Sequence, residues 1–270
     1  MKKLLVLLVV CAFAKAYSQD LSGVATYQSQ RSVDIKLSEG MDNAMQKQIQ
    51  EQLKKQFQKT YTLKFKGSES IYSEDEGGIA PPAPAAGGMS IVISQNKDIN
   101  YRNLNELRYT NETDLMGKTF LVKDSIKKRE WKLVKEIKNI GLYTCFKAIY
   151  EEEVENWSMT EDGKETKEKK MKTTTAWYTL DIPVPHGPDK YWGLPGLVLE
   201  INDGKFSLMC TKVVLNPQEE IVIEEPTKGK RVGGEEYKKI SEKKAQEMME
   251  RYSGGRKKGD NSTFSIKIGG

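Results

Sequence analysis

The sequence predicts a mainly β fold of the α+β class, and three observations predict it. Short runs of alternating polar and apolar residues recur along the chain, separated by Gly, Pro, Asn and Asp. Residues 192–201, Trp-Gly-Leu-Pro-Gly-Leu-Val-Leu-Glu-Ile, run from a Pro-Gly turn into an apolar strand. That strand stops at Asn202-Asp203-Gly204, a hairpin signal, and restarts at residue 205. Only two stretches, 39–59 and 235–252, carry apolar residues at helical spacing, so one or two amphipathic helices are expected beside the strands.

The chain opens with a leader. Lys2 and Lys3 precede an apolar run over residues 4–14, and cleavage fits after either Ala16 or Ser18. The run is too short to span a bilayer, and Val10 before Cys11 is not the small residue that lipid attachment needs. This predicts a periplasmic or secreted protein with no transmembrane segment after signal cleavage. The expected organisation is a signal peptide (1–18), one β-rich domain (19–225), and a C-terminal helix with a flexible tail (226–270). Loss of Lys2, Lys3 and Lys15 leaves 40 basic against 38 acidic residues, a near balance that does not mark a nucleic-acid partner.

The elements follow in order. Residues 24–35 alternate as a strand. Ser38 can cap a helix over 39–59, whose stripe of Met41, Met45, Ile49, Leu53 and Phe57 suits it to cover a sheet. Residues 74–90, rich in Gly, Pro and acid, read as a loop. Strand patterns resume at 90–94, 119–123, 131–137 and 142–150. Placing Asp162-Gly163 at the tip of a two-residue hairpin sets Glu155 opposite Lys170, Glu153 opposite Lys172 and Val154 opposite Met171. Each charge match favours that pairing by ~0.2–1 kcal/mol. The same register puts Ala148 opposite Trp177. At 194–196 the expected turn is type II, with Pro195 presetting φ and Gly196 supplying a positive φ. The tail ends in an alternating run over 264–268. Once the leader is cleaved, Cys145 and Cys210 remain, and an even pair in an exported chain predicts a disulfide; two buried free thiols are the alternative.

The run Gly193, Leu194, Pro195, Gly196, Leu197, Val198 resembles the signature of the GLPGLI family, secreted proteins of Gram-negative bacteria. Ala176-Trp177-Tyr178-Thr179, Ile182-Pro183 and Gly187-Pro188 precede it in the family's order, and Cys145-Phe146-Lys147-Ala148 resembles the family's Cys-x-Lys-Ala strand. Tyr61–Phe65 followed by Glu69–Tyr72 fits its N-terminal pattern, so the resemblance covers about residues 21–215. It implies an open, curved antiparallel sheet, a bowl or half-barrel, in the cell envelope. It implies no activity, no cofactor and no catalytic residue.

The residues themselves mark no reaction. His186, the single histidine, sits among prolines without a nucleophile elbow, and reads as a structural turn. No spacing suits a metal or a dinucleotide. Two functions fit best. The first is a non-enzymatic envelope protein that binds a protein partner or an outer-membrane component. The second is a carrier whose concave face, lined by Met45, Ile49, Leu53, Phe57, Trp177 and Trp192, holds a hydrophobic ligand as half-barrel lipoprotein carriers of the LolA type do. A hydrolase ranks third.

Overall fold

The structure, a computed structural model, describes residues 21–31, 33–36, 58–75, 98–159, 165–254 and 265–268. Its strands are β1 (Ser22–Arg31), β2 (Val33–Lys36), β3 (Thr60–Lys66), β4 (Glu69–Glu74), β5 (Ile99–Asn103), β6 (Arg108–Leu115) and β7 (Lys118–Ser125). There follow β8 (Lys132–Ile140), β9 (Tyr143–Met159), β10 (Glu165–Thr179), β11 (Leu197–Asn202), β12 (Phe206–Leu215) and β13 (Lys230–Val232). One helix, α1 (Gly234–Gly254), and a last strand, β14 (Ser265–Ile268), complete the described elements. Twelve strands form one open sheet in the order β13-β7-β6-β5-β4-β3-β1-β12-β11-β10-β9-β8, while β14 pairs with β2 alone. Neighbours are antiparallel except β13, which runs parallel to β7. The mainly β class with an open sheet and a covering helix is as the sequence predicts.

Alternation decides which side of the sheet is buried. Ala25 and Tyr27 of β1, Leu63 and Phe65 of β3, Tyr72 of β4, Leu208 of β12 and Ile201 of β11 belong to one core, with Ala148 and Ala176. We call this the inner face. Its cover is a stretch of irregular chain, residues 180–196, that contributes Ile182, Val184, Tyr191 and Leu194 to the same core. Backbone bonds stitch this plug to β11: Leu197 N–H donates to Ile182 O (2.9 Å) and Val198 N–H to His186 O (3.1 Å). The Tyr27 hydroxyl donates to Val198 O at 2.6 Å. A buried irregular segment must satisfy its backbone polar groups, and these bonds do so.

Beyond the plug, α1 covers the far end of the inner face. Tyr237 and Ile240 pack on Phe120, Val122 and Val232, and the Gly234 N–H donates to Asp124 Oδ2 at 2.9 Å, anchoring the helix start on β7. The outer face carries a second irregular crossing, residues 216–229, pinned by Glu220 to Lys66 (3.0 Å) and by Glu225 to Arg108 (2.9 Å) and Lys123 (2.8 Å).

Several expectations change. The leader, most of the predicted helix at 39–59 with Met45, Ile49, Leu53 and Phe57, and the strand at 90–94 lie outside the described residues. β5 and β6 were not expected; their sequences, INYRN and RYTNETDL, are too polar to stand out as strands. The long hairpin forms, but one residue out of the expected register: Lys169 lies opposite Glu155, Met171 opposite Glu153 and Ala176 opposite Ala148. Its first described pair is Met159 with Glu165, and the expected tip at Asp162-Gly163 lies outside the described residues. A one-residue slip exchanges the faces of the whole strand. Burial of Ala148 and Ala176 together, with Phe146 and Tyr178 rings 6.0 Å apart, therefore outweighs charge matches of a few tenths of a kcal/mol.

The signature turn is also different. Gly193 adopts φ +91°, whereas Gly196 is not among the positive-φ residues. Glycine is needed at 196 for space, since a Cβ there would overlap the carbonyl of Thr179. The expected disulfide is not formed: Cys145 and Cys210 are free thiols. They sit on β9 and β12 with β10 and β11 between them, three steps of ~4.8 Å along the sheet against the ~7 Å that a bridge spans. Burial pushes both thiols up, Cys145 to about 11 and Cys210 to about 12.

Gly196→Ala is expected to destabilise the protein by about 3 kcal/mol or more, the scale of an overpacked core. Gly233→Ala, where no atom lies within 4 Å of the added carbon, should leave the urea midpoint unchanged; equal midpoints for the two variants would contradict the plug's tight approach. Alkylation in denaturant without reductant should label both Cys145 and Cys210 in a peptide map, and a linked peptide pair would restore the bridge.

Candidate functional site

Where the plug ends and the sheet continues, a cleft of about 320 Å³ remains on the inner face. It lies at one end of the strands. β1 brings Arg31, the start of β3 brings Lys59 and Tyr61, and the end of β4 brings Glu74. Asp98 and Asn100 enter from the start of β5, and Phe206 from β12. Asp189, Lys190 and Tyr191 of the plug form the facing wall. The alternation that buries Leu63, Tyr72 and Leu208 carries these polar neighbours to the same side two residues further on.

The charges are largely internally matched. Lys59 Nζ lies 2.7 Å from Glu74 Oε2, and Lys172 Nζ lies 2.7 Å from Asp203 Oδ2. Burial opposes ionisation of Asp203, yet Lys172 and the N–H groups of Phe206 and Lys205 hold its carboxyl below the usual range. Asp98 stands apart: burial raises its carboxyl, with the Thr113 hydroxyl opposing, and its Oδ1 is buried without a hydrogen-bond partner.

Aromatic rings shape the rest. Tyr61 stacks on Tyr72 with centroids 5.2 Å apart and planes 9° from parallel, and Tyr72 meets Tyr27 edge-on at 6.5 Å. Burial, helped by Glu74, pushes the Tyr61 phenol up to about 12, so it remains a neutral donor. Phe206 lies under the Arg31 guanidinium at 5.1 Å. The plug wall is held from behind by Arg102, only 7% exposed, whose guanidinium donates to Asp189 O and sits 5.8 Å from the Trp192 ring. Burial brings Arg102 down to about 10, still charged at neutral pH. Asp189 itself takes φ 47°, a left-handed conformation that Asp tolerates better than most residues.

The residues singled out in the sequence fall elsewhere. Leu194 and Leu197 are buried in the core, and Pro195 is exposed at the turn. Trp192 is buried in the plug, while Trp177 is half-buried between Lys138 and Lys147, whose ammonium groups lie 4.4 and 6.0 Å from its ring. The two tryptophans therefore share no apolar ligand face. His186 is fully buried, stacked on Phe65 at 5.6 Å, with Nε2 2.9 Å from Gly67 O. Burial lowers it to about 4, so it is neutral and donates to that carbonyl. The cleft residues Tyr61, Tyr72 and Asp98, and Arg102 behind the plug wall, were not anticipated. Only the alternation of Tyr61 with Leu63 and Phe65 pointed to its side of the sheet.

A family model for a protein of unknown function (Porph_ging) matches residues 131–200, from Trp131 through the long hairpin and the plug into β11. No curated protein matches the chain. Two crystal structures of PNGF-II in different space groups are similar over 83% of this chain, with TM-scores of 0.49 at 16% identity and 0.47 at 13%. The chain spans about a third of the length of the PNGF-II chain (33%).

The neutral histidine has a consequence for stability. Its folded pKa lies near 4 against 6.5 for the free side chain, so between these values the unfolded chain binds more protons. Stability should fall as pH drops from about 6.5 towards 4, by about 3 kcal/mol from this group. Urea denaturation at several pH values should show that slope, flattened in His186→Gln; an equal slope in the variant would contradict the assignment.

Proposed function

We propose that this protein is a non-enzymatic binding module of the bacterial envelope that engages a partner or an outer-membrane component through the cleft at the strand ends. One observation carries the reading: the inner face, where an apolar carrier would hold its ligand, is filled by the chain's own Ile182, Val184, Tyr191 and Leu194. The space that remains is polar and ion-paired, and stripping water from its charges without replacing their partners would cost several kcal/mol. The leader supports export. Among the described residues no helix is long and apolar enough to cross a membrane. His186, the residue best suited to acid–base chemistry, is committed to a backbone carbonyl away from the cleft.

Two measurements test this. A solvatochromic fatty-acid probe should show no saturable binding to the delipidated protein, and saturable binding would favour the carrier instead. A photo-crosslinking residue placed at Lys190, in the cleft wall, should form adducts in living cells, whereas one at Val222, exposed on the outer crossing, should not; equal labelling would remove the cleft as the binding site.

A further inference from the structure

We propose that the cleft is a saccharide subsite taking one or two rings of an uncharged glycan. The inference rests on reading the cleft as the binding site and names its ligand. Charge is the first consideration. Lys59 is neutralised by Glu74 and Lys172 by Asp203, each at 2.7 Å, and the other two cations, Arg31 and Lys190, are equalled in number by Asp98 and Asp189. Such a site has no net charge with which to select an ion. It does present fixed donors and fixed acceptors side by side. A sugar hydroxyl donates one hydrogen bond and accepts two, so it can bridge an ammonium and its carboxylate without breaking the pair.

The rings supply the second consideration. Tyr61, half-buried and braced from behind by Tyr72 at 5.2 Å, is a flat apolar surface beside these charges, and the Phe206 ring, with Arg31 over one face, also lines the cleft. A pyranose has the same two-sided chemistry, with C–H groups on its face and hydroxyls round its edge. An acyl chain would use the rings and leave the ions desolvated. A phosphate or a polyamine would use part of the ions, leave the rings idle, and displace a carboxylate or ammonium from its partner. Asn100, which both donates and accepts, lies in the same wall. The volume, about 320 Å³, is at the lower end of the ~300–1,000 Å³ typical of ligand sites, which suits a short oligosaccharide end. The ion pairs and the ring stack are already made, so little ordering opposes binding.

Saturation-transfer NMR on the full mature chain tests the class with four neutral disaccharides (cellobiose, maltose, lactose and N,N′-diacetylchitobiose), with spermidine and inorganic phosphate as charged probes. At least one disaccharide should bind with a Kd of ~1 mM or tighter and the charged probes should not. Asn100→Leu should weaken that binding by about tenfold at an unchanged Tm, and Tyr61→Phe, which keeps the ring, should retain it. The proposal is overturned if no disaccharide binds at ~10 mM, if Asn100→Leu binds as the parent does, or if a charged probe binds in their place. Crosslinking at Lys190 alongside failure of every disaccharide would remove the ligand class and leave the site; failure of both would remove the site as well.

Discussion

An open sheet must find something to cover its apolar inner face, and over most of that face in this protein the cover is residues 180–196. That segment forms no helix and no strand, yet its Ile182, Val184 and Leu194 are as buried as the strands beneath them. Burying such side chains is worth ~1.5–3 kcal/mol each, a gain available only if the backbone between them is also satisfied. The satisfaction is distributed. β11 donates two N–H groups to the plug, Arg102 and Arg129 donate to the carbonyls of Asp189 and Lys190, and the Trp131 indole donates to Trp192 O at 3.0 Å. Within the plug, Gly187 and Gly196 are the positions where backbone meets backbone with no room for a Cβ. The signature residues are thus the end of the plug and the beginning of the strand that receives it.

The cleft follows from the same constraint. The plug covers the inner face over β10 to β4, and α1 covers it over β7. Between them, at the strand ends, inward positions carry Lys59, Glu74, Asn100 and Lys172 instead of apolar residues. Lys59 pairs with Glu74 and Lys172 with Asp203, which is how charges on a buried face are tolerated. Asp98, with one carboxylate oxygen left unpartnered, is the point where this compensation is incomplete.

Much of the sheet was legible in the sequence because period-two alternation survives in β1 and β3 and because β11 is a continuous apolar run that follows a Pro-Gly turn. β5 and β6 were not, since an edge-to-middle strand such as RYTNETDL buries only Thr110 and Thr113 and so lacks an apolar signature. The hairpin at 143–179 was legible as a hairpin but not in its register, because facing charges are a weaker signal than the burial of Ala148 and Ala176. Gly196 was legible as an obligatory glycine, for the wrong reason. The cysteine count suggested a bridge because a sequence cannot show that two strands separate the thiols. The site was barely legible: Tyr61, Lys59, Glu74 and Asp98 converge through the pairing of β3, β4 and β5, and no local spacing marks them.

The central claim is that the plug is part of the folded core and not a lid over a ligand cavity. Native-state amide hydrogen exchange tests it most directly, because the amides of Gly193, Leu197 and Val198 are bonded to or within the plug. If the account holds, these amides exchange only on the same global opening as those of β1 and β3. Exchange of the plug amides through a much smaller opening, while the strands stay protected, would show that the inner face opens and would contradict it.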